Sequence, residues 1–267
     1  MTGEVSPGKI SPDRELPPAV LLAAGLDPTG GAGLALDLAV LRRVGARGLP
    51  AASCLTVQTF REFRGIRPVE EDLLERMIRA ALEAGPVRAV KVGLLGSPSQ
   101  AFLLARLLPR DVPVVVDPVL RPTLAEGGGE EDLARGLVEG LAAGGAVLTP
   151  NLPELALLSG RKDVTGGAEY LLRRGASALV LKGGHGEGRE EVEDRLFLPG
   201  GEVLAFRRPR DPLGEVHGTG CAFSSALAGF LSRGRGIREA VREAGELTAR
   251  LRLSSLSTGG GLRLLLP

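Results

Sequence analysis

The segment from His217 to Cys221 places three small residues, Gly218, Thr219 and Gly220, and a cysteine directly before an apolar helix. Small residues leave backbone N–H groups uncovered, and a helix N-terminus adds about half a positive charge, so the segment predicts an anion site. The same field would favour the thiolate of Cys221; the alternative is a buried, inert thiol. An anion site beside an activated thiol indicates chemistry on a phosphate.

Two carboxylates follow predicted strands. Asp117 ends a run of valines, where it could coordinate a hard cation or form an Asp-Pro turn. Glu154 lies three residues after Asn151, a spacing typical of a helix capping box. It is equally compatible with a magnesium–phosphate cluster. These two interpretations do not exclude each other.

Two further segments are rich in glycine. Lys182 precedes Gly-Gly-His185 and could neutralise phosphate charge, or it could be a solvated lysine before a turn. The segment from Asp27 to Gly33 is either a tight turn or a backbone that a small substrate can approach, with Asp27 as a polar contact. It matches neither the dinucleotide-binding fingerprint nor the P-loop.

Composition narrows the function classes. With a net charge of +1 and 3% aromatic residues, the chain is not expected to bind nucleic acid. No apolar run approaches the length of a bilayer span, and no secretory signal is visible, so we expect a cytoplasmic protein that acts on a small molecule. Two histidines and two cysteines are too few for a zinc site. Cys54 is expected to be a small core residue.

Short apolar runs alternate with helical patterns after a polar arm at 1–17, which predicts one α/β domain over 18–267. We expect three layers, α/β/α, around a mostly parallel sheet, with a small hairpin. Predicted strands are Ala19–Ala24, Ala51–Val57, Ala89–Val92, Val112–Val116, Ala146–Leu148 and Ala178–Leu181, with the hairpin at Arg195–Leu198 and Glu202–Phe206. Predicted helices are Leu34–Val44, Glu70–Ala84, Ser99–Leu108, Glu131–Leu141, Leu152–Leu158, Ala168–Arg174, Ala222–Leu231 and Ile237–Leu253. The polar segments then converge at the carboxyl ends of the strands, where such folds bind ligands.

Five motifs together resemble the hydroxymethylpyrimidine/phosphomethylpyrimidine kinases of thiamine biosynthesis, which have a ribokinase-like fold. They are Ala24-Gly-Leu-Asp-Pro-Thr-Gly-Gly-Ala-Gly33, Val116-Asp-Pro-Val119, Leu148-Thr-Pro-Asn-Leu-Pro-Glu154, Leu181-Lys-Gly-Gly-His185 and His217-Gly-Thr-Gly-Cys221. The motifs follow the family's order from about Ala19 to the final helix. The resemblance implies ATP-dependent phosphorylation of the hydroxymethyl group of an aminopyrimidine, and then of its monophosphate.

The resemblance also implies a role for each site residue. Cys221 would accept the alcohol proton while the backbone of Gly218, Thr219 and Gly220 holds the charge on the transferred phosphoryl group. The remaining assignments are Asp117 and Glu154 to Mg²⁺; Thr149, Asn151, Lys182, Gly184 and His217 to ATP; and Gly25, Asp27, Gly33 and Gln58 to the substrate. ATP and Mg²⁺ are the expected cofactors, a monovalent cation is a further candidate, and a homodimer is the expected assembly.

Several segments depart from the family pattern. Thr56-Val-Gln-Thr59, the stretch beginning at Arg121, the pair Glu215-Val216 and the tail from Gly259 all differ from the usual motifs. These departures fall on substrate-facing and lid-like segments rather than on the phosphate site. Two alternatives therefore stay open, a pyridoxine/pyridoxal kinase and a non-catalytic paralogue that binds a pyrimidine or nucleotide.

Overall fold

The computed structural model describes residues 16–120, 129–183, 190–258 and 262–267. Nine strands form the main sheet: β1 (Ala19–Leu26), β2 (Arg47–Gln58), β3 (Phe63–Pro68), β4 (Val87–Val92), β5 (Val114–Val116), β6 (Val147–Leu148), β7 (Ala178–Leu181), β8 (Glu191–Phe197) and β9 (Val203–Pro209). Three two-residue strands form a second sheet: β10 (Val216–His217), β11 (Leu256–Ser257) and β12 (Arg263–Leu264). The helices are α1 (Gly33–Arg43), α2 (Glu71–Glu83), α3 (Pro98–Leu107), α4 (Glu130–Gly136) with a π-helical continuation (Leu137–Ala142), α5 (Leu152–Ser159), α6 (Val164–Arg173), α7 (Thr219–Ser232) and α8 (Ile237–Leu253).

The main sheet has the order β3-β2-β1-β4-β5-β6-β7-β8-β9. The strands from β2 to β7 pair in parallel, whereas β3 at one edge and β8 and β9 at the other pair antiparallel. The predicted mostly parallel sheet is therefore confirmed. The predicted hairpin is longer than expected and extends this same sheet.

Buried apolar side chains cover both faces of the sheet, because residues of a strand alternate between its two faces. Leu21 packs with Leu74 of α2 and Leu104 of α3 on one face, while Leu22 packs with Leu41 of α1 and other residues of α1, α7 and α8 on the opposite face. This arrangement confirms the three α/β/α layers. No helix in the described ranges is long and apolar enough to cross a membrane.

Some predicted boundaries are wrong. Strand β2 begins at Arg47 rather than at Ala51, α6 begins at Val164 rather than at Ala168, and α7 begins at Thr219 rather than at Ala222. Strand β3 and the small second sheet were not predicted. The earlier start of α7 places Cys221 inside its first turn. The predicted 1–17 arm lies almost wholly outside the described residues, so the domain boundary stays a prediction.

Candidate active site

The N-terminus of α7 lies against the loop that follows β1. Gly218 is the residue before the helix, with φ of +84°, and no side chain caps this helix end. A Cβ at Gly218 would lie 2.2 Å from the carbonyl oxygen of Gly31. Only glycine fits this close approach without strain. The first-turn N–H groups of α7 are therefore not covered by a capping side chain.

A second helix end meets the first. Helix α1 begins at Gly33, also without a side-chain cap, and the Gly33 N–H faces the thiol of Cys221 and acts to lower its pKa. Gly33 has φ of +58°, and a Cβ there would lie 2.3 Å from the carbonyl oxygen of Gly25. The N-terminus of α1 thus meets the first turn of α7 at Cys221, a geometry suited to stabilising negative charge.

The thiol of Cys221 is protonated in this arrangement. Burial raises its pKa to about 11, and although the Lys91 ammonium and the Gly33 N–H act in the opposite direction, Asp37 and Asp117 add to the rise. The Gly33 N–H at the start of α1 favours the thiolate, in the expected direction, but the cost of removing the anion from water is larger, so the net effect is a raised pKa.

Lys182, at the end of β7, joins the two carboxylates assigned to the metal. Its Nζ lies 2.7 Å from Asp117 Oδ1 and 3.8 Å from Glu154 Oε2. Burial acts to lower the pKa of Lys182, but the two carboxylates outweigh it and raise the pKa. Burial raises the pKa of Glu154, and Asp117 adds to that rise. The lysine therefore stays charged between two acids.

The first turn of α7 touches the same group. A Cβ at Gly220 would lie 3.2 Å from Lys182 Nζ, and the hydroxyl of Ser224 donates a hydrogen bond of 3.3 Å to Asp117 Oδ2. The structure thus brings together Asp117, Glu154, Lys182 and the helix end that carries Cys221.

The side chains that follow β6 form hydrogen bonds with backbone groups. Asn151 Oδ1 accepts the Glu154 N–H at 2.9 Å and Glu154 Oε2 accepts the Asn151 N–H at 2.7 Å, which forms the predicted capping box. The buried Thr149 hydroxyl donates to the carbonyl of Val116. The assignments of Thr149 and Asn151 to ATP stay predictions.

The loop after β7 is fixed by a buried carboxylate. Gly183 donates its N–H to Asp194 Oδ1 at 2.8 Å, and Arg208 pairs with the other oxygen of Asp194 at 2.5 Å. This contact holds the backbone next to Lys182. Gly184 lies outside the described residues.

His217 lies beside Asp27 rather than beside Lys182. Its Nε2 is 3.6 Å from Asp27 Oδ2, and Thr29 donates to Asp27 from both its N–H and its hydroxyl at 2.8 Å. Burial acts to raise the pKa of Asp27, but His217 and Thr29 outweigh it, so the pKa is lowered. His217 therefore lies beside Asp27, a residue that the sequence assigned to the substrate, and the assignment of His217 to ATP stays a prediction.

Gln58 is connected to the end of β1 by two hydrogen bonds that share one hydroxyl group. Its amide donates to the Thr56 hydroxyl at 3.1 Å, and that hydroxyl donates to the carbonyl of Leu26 at 3.1 Å. Leu26 immediately precedes Asp27. The predicted proximity of Gln58 and Asp27 is thus an indirect one in the structure.

A second charged group, which no sequence motif indicated, lies beneath the site. Lys91 of β4 and Asp37 of α1 form an ion pair, and Asp37 also accepts a hydrogen bond from Ser225 of α7. One signal was available: Lys91 is the only charged residue in the stretch Ala89–Leu95, which is otherwise apolar or glycine. Nothing in the sequence identified its partner.

A family model and a curated relative of the same description match most of the chain. A family model described as phosphomethylpyrimidine kinase matches residues 27–264. The chain is 33% identical over 256 residues to a hydroxymethylpyrimidine/phosphomethylpyrimidine kinase of Streptomyces coelicolor, covering 92% of this chain and 93% of that protein.

Two solved structures have a similar fold. An ADP complex of Bacillus subtilis pyridoxal kinase has a TM-score of 0.84 at 25% identity and covers 93% of this chain and 97% of that one. A phosphomethylpyrimidine kinase of Clostridium difficile 630 has a TM-score of 0.73 at 26% identity and covers 87% of this chain and 98% of that one.

Proposed function

The chain belongs to the phosphomethylpyrimidine kinase family, and from that membership we propose that it phosphorylates 4-amino-5-hydroxymethyl-2-methylpyrimidine, its monophosphate, or both, with ATP, in thiamine biosynthesis. One observation carries the proposal: the ion-paired Lys182, Asp117 and Glu154 lie against the first turn of α7, which bears Cys221. A cation and a helix N-terminus that lie side by side are groups that can stabilise the charge on a transferred phosphoryl group.

The phosphate half of the site would hold ATP and Mg²⁺. Magnesium is usually bound by one or two carboxylates together with substrate phosphates. Asp117 and Glu154 supply two carboxylates within reach of one ammonium group, so the donor set fits Mg²⁺ bound with a nucleotide. The described residues contain no group of three or more His, Cys, Asp or Glu that could hold a metal alone, which agrees with a metal that arrives with phosphate.

Lys182 would interact directly with the phosphates of ATP. In the structure its ammonium is shared between two acids; Asp117 and Glu154 would hold Mg²⁺, and Lys182 would donate to phosphate oxygens. When bound, the metal supplies charge neutralisation of the phosphates. The N–H groups of Gly218, Thr219 and Gly220 would hold the charge on the transferred phosphoryl group.

Cys221 would take the alcohol proton. In a loose transition state the acceptor oxygen gains nucleophilic character late, so orientation contributes more than a strong base. Because burial raises the pKa of the Cys221 thiol to about 11, the thiol must first give its own proton to solvent water, and the resulting thiolate then accepts the proton of the alcohol. The Gly33 N–H and the Lys91 charge favour that step, since both act to lower this pKa.

Asp27 and Gln58 would orient the pyrimidine. Asp27 is ionised, since its pKa is lowered, and a carboxylate suits an amino group on a heterocycle. Gln58 offers an amide NH₂ group that donates hydrogen bonds and a carbonyl oxygen that accepts them. The close approach between Gly25 and Gly33 supports a backbone shaped for a small ring, and His217 would join this half of the site.

A pyridoxine/pyridoxal kinase is the second candidate, favoured by the TM-score of 0.84 to the pyridoxal kinase of Bacillus subtilis. Both substrates carry a hydroxymethyl group on an aromatic ring, so the phosphate half cannot distinguish them. A coupled ADP-release assay with the aminopyrimidine alcohol, its monophosphate and pyridoxal at matched concentrations separates the candidates. We expect a higher kcat/KM for either pyrimidine than for pyridoxal; the reverse order would support the pyridoxal kinase. Thermal stabilisation by these ligands without turnover would favour a non-catalytic paralogue.

We also propose that the protein is a cytoplasmic homodimer. Reduced cysteines support the first part, since Cys54 and Cys221 are both free. The second part rests on the family resemblance, and sedimentation equilibrium of the purified protein tests it directly.

A further inference from the structure

The ion pair between Lys91 and Asp37 is completely buried. Lys91 Nζ lies 2.7 Å from Asp37 Oδ2, and both side chains have 0% exposure. Taking two charges out of water is costly, and their mutual attraction often fails to offset that cost. The backbone leaves room for this pair: a Cβ at Gly93 would lie 2.8 Å from Lys91 Nζ. A costly group that the backbone accommodates calls for an explanation beyond packing.

The pair lies one helical turn below the thiol. Asp37 follows Gly33 by four residues on α1, and Ser225 follows Cys221 by four residues on α7. Residues four apart lie on the same face of a helix. The Gly33 N–H faces Cys221, and the Ser225 hydroxyl donates to Asp37 Oδ1 at 2.7 Å. The two contacts form successive rungs between the helices whose N-termini meet.

Lys91 supplies the positive charge of this group. It lies on β4 and points to the same face as Ala89, beneath α1 and α7. Burial acts to lower the pKa of Lys91, but Asp37, Cys221 and Asp117 outweigh it and raise the pKa. Among the groups acting on the Cys221 thiol, Lys91 exerts the largest influence after burial, opposed by the negative charges of Asp37 and Asp117.

We propose that Lys91 is a positioning residue of the phosphoryl-transfer site, which locks α1 to α7 through Asp37 and Ser225 and sets the reactivity of the Cys221 thiol from below. The inference rests on the proposed function, because it assigns the purpose of this charge to a reacting thiol. A purely structural brace would hold the helices without affecting the chemistry of the sulfur.

Two single variants distinguish a positioning role for Lys91 from a purely structural one, because the two roles predict different directions of change in thiol reactivity. In a Cys54→Ala background, Cys221 is the only thiol, and its rate of alkylation by iodoacetamide at one fixed pH reports its reactivity. We expect Lys91→Met to slow alkylation severalfold, because the influence of Lys91 on the thiol exceeds that of Asp37, so the thiolate fraction falls even when Asp37 takes up a proton in the variant. We expect Asp37→Asn to speed it severalfold, because a negative charge is removed while Lys91 remains.

A structural brace gives a different pattern, because loosening the helices exposes the sulfur in both variants. Faster alkylation in both variants, or no change in either, would therefore overturn the proposal. If Lys91→Met does not fold, the double variant Lys91→Met/Asp37→Leu replaces the pair with apolar groups of similar shape, a change that proteins often tolerate. We expect slower alkylation there also, and a rate at or above that of the parent would contradict us.

Turnover distinguishes this inference from the proposed function. The alkylation assay needs no substrate, so its outcome stands even if the unmodified protein phosphorylates none of the three candidates. If the protein is active, we expect Lys91→Met to lower kcat while the KM for ATP stays within about twofold, as for an interaction felt in the transition state. A rise in KM with unchanged kcat would overturn the positioning role.

Discussion

At the scale of single residues, Cys221 is subject to opposing influences. Two helix N-termini and the Lys91 charge favour its anion, whereas burial raises the pKa of the thiol to about 11. As the proposed base, Cys221 would accept a proton only when the substrate alcohol is bound. Its contribution should therefore appear in turnover rather than in nucleotide affinity.

Replacing Cys221→Ala should lower kcat by about 10²- to 10⁴-fold, the usual contribution of a positioned acid or base. The KM for ATP should change little, because Cys221 is not among the residues assigned to the nucleotide. Initial-rate kinetics with the aminopyrimidine alcohol measure both constants. Cys54→Ala is the matched control, since that thiol is buried in β2 and its pKa is also raised to about 11. Near-normal turnover of Cys221→Ala would show that Cys221 is not the base.

Lys182→Met should instead weaken the use of ATP. The substitution leaves Asp117 and Glu154 without the cation that lies 2.7 Å and 3.8 Å from them. We expect kcat/KM for ATP to fall about 100-fold, the order found when one charge-stabilising donor is lost. Lys162→Met, at an exposed position before α6, controls for the general loss of a lysine. Equal kinetics for both variants would show that Lys182 does not act on phosphate.

At the scale of elements, the junction between the two helix ends depends on Gly218. Both Gly218 and Gly234 have a left-handed backbone, with φ of +84° and +82°, but only at Gly218 would a Cβ meet another backbone atom, 2.2 Å away. An alanine at either position would be destabilised by about 1–2 kcal/mol because of the left-handed backbone. The comparison of the two isolates the contact.

We therefore expect Gly218→Ala to reduce both the free energy of unfolding and kcat well beyond Gly234→Ala. The reason is that the added methyl group must push the α7 N-terminus away from Gly31. Chemical denaturation and initial rates measure the two quantities. If both variants lose the same amount, the close approach of the two loops plays no special part.

The sequence predicted elements where the pattern is strong and missed those where it is weak. The buried parallel strands and α8 follow from apolar runs and helical spacing. Strand β3 (Phe63–Pro68) lies at a sheet edge, and its sequence contains glycine, proline and two arginines, so no apolar alternation indicates it. The second sheet consists of two-residue strands, which are too short for any periodicity.

The same limit applied to the site. Convergence of strand ends placed Asp117, Glu154, Lys182 and Cys221 together, because the topology of parallel sheets dictates where carboxyl ends meet. The pair of Lys91 and Asp37 could not be found in this way, since it depends on two side chains 54 positions apart. The raised pKa of the Cys221 thiol could not be predicted from the sequence either, because it results from burial, which depends on packing.

At the scale of the whole molecule, burial of thiols links stability to pH. Burial raises the pKa of Cys54 from 9.0 to about 11. A raised pKa in the folded state means that the thiol stabilises the fold fully below about pH 9 and that this contribution is lost as pH rises toward about 11. The loss should amount to about 2 kcal/mol.

Denaturation of the unmodified protein and of Cys54→Ala at several pH values tests this link. The alanine variant lacks the ionisable group, so the stability advantage of the unmodified protein should be constant below about pH 9 and should shrink between pH 9 and 11. Contributions from other groups cancel in the difference. A constant difference across that range would show that Cys54 does not titrate on unfolding as expected.

The architecture concentrates chemistry at one sheet edge while two apolar layers stabilise the remainder. Residues that follow β1, β5, β6 and β7 meet the first turn of α7 there. Our central proposal is that the residues at this edge transfer a phosphoryl group from ATP to the hydroxyl oxygen of a hydroxymethyl group.

Phosphorus-31 NMR of the protein with Mg²⁺, ATP and the aminopyrimidine alcohol tests that claim most directly. We predict a new phosphomonoester resonance that grows in step with ADP and is absent without the alcohol. Formation of ADP with inorganic phosphate alone, or no change in the ATP resonances, would contradict the account.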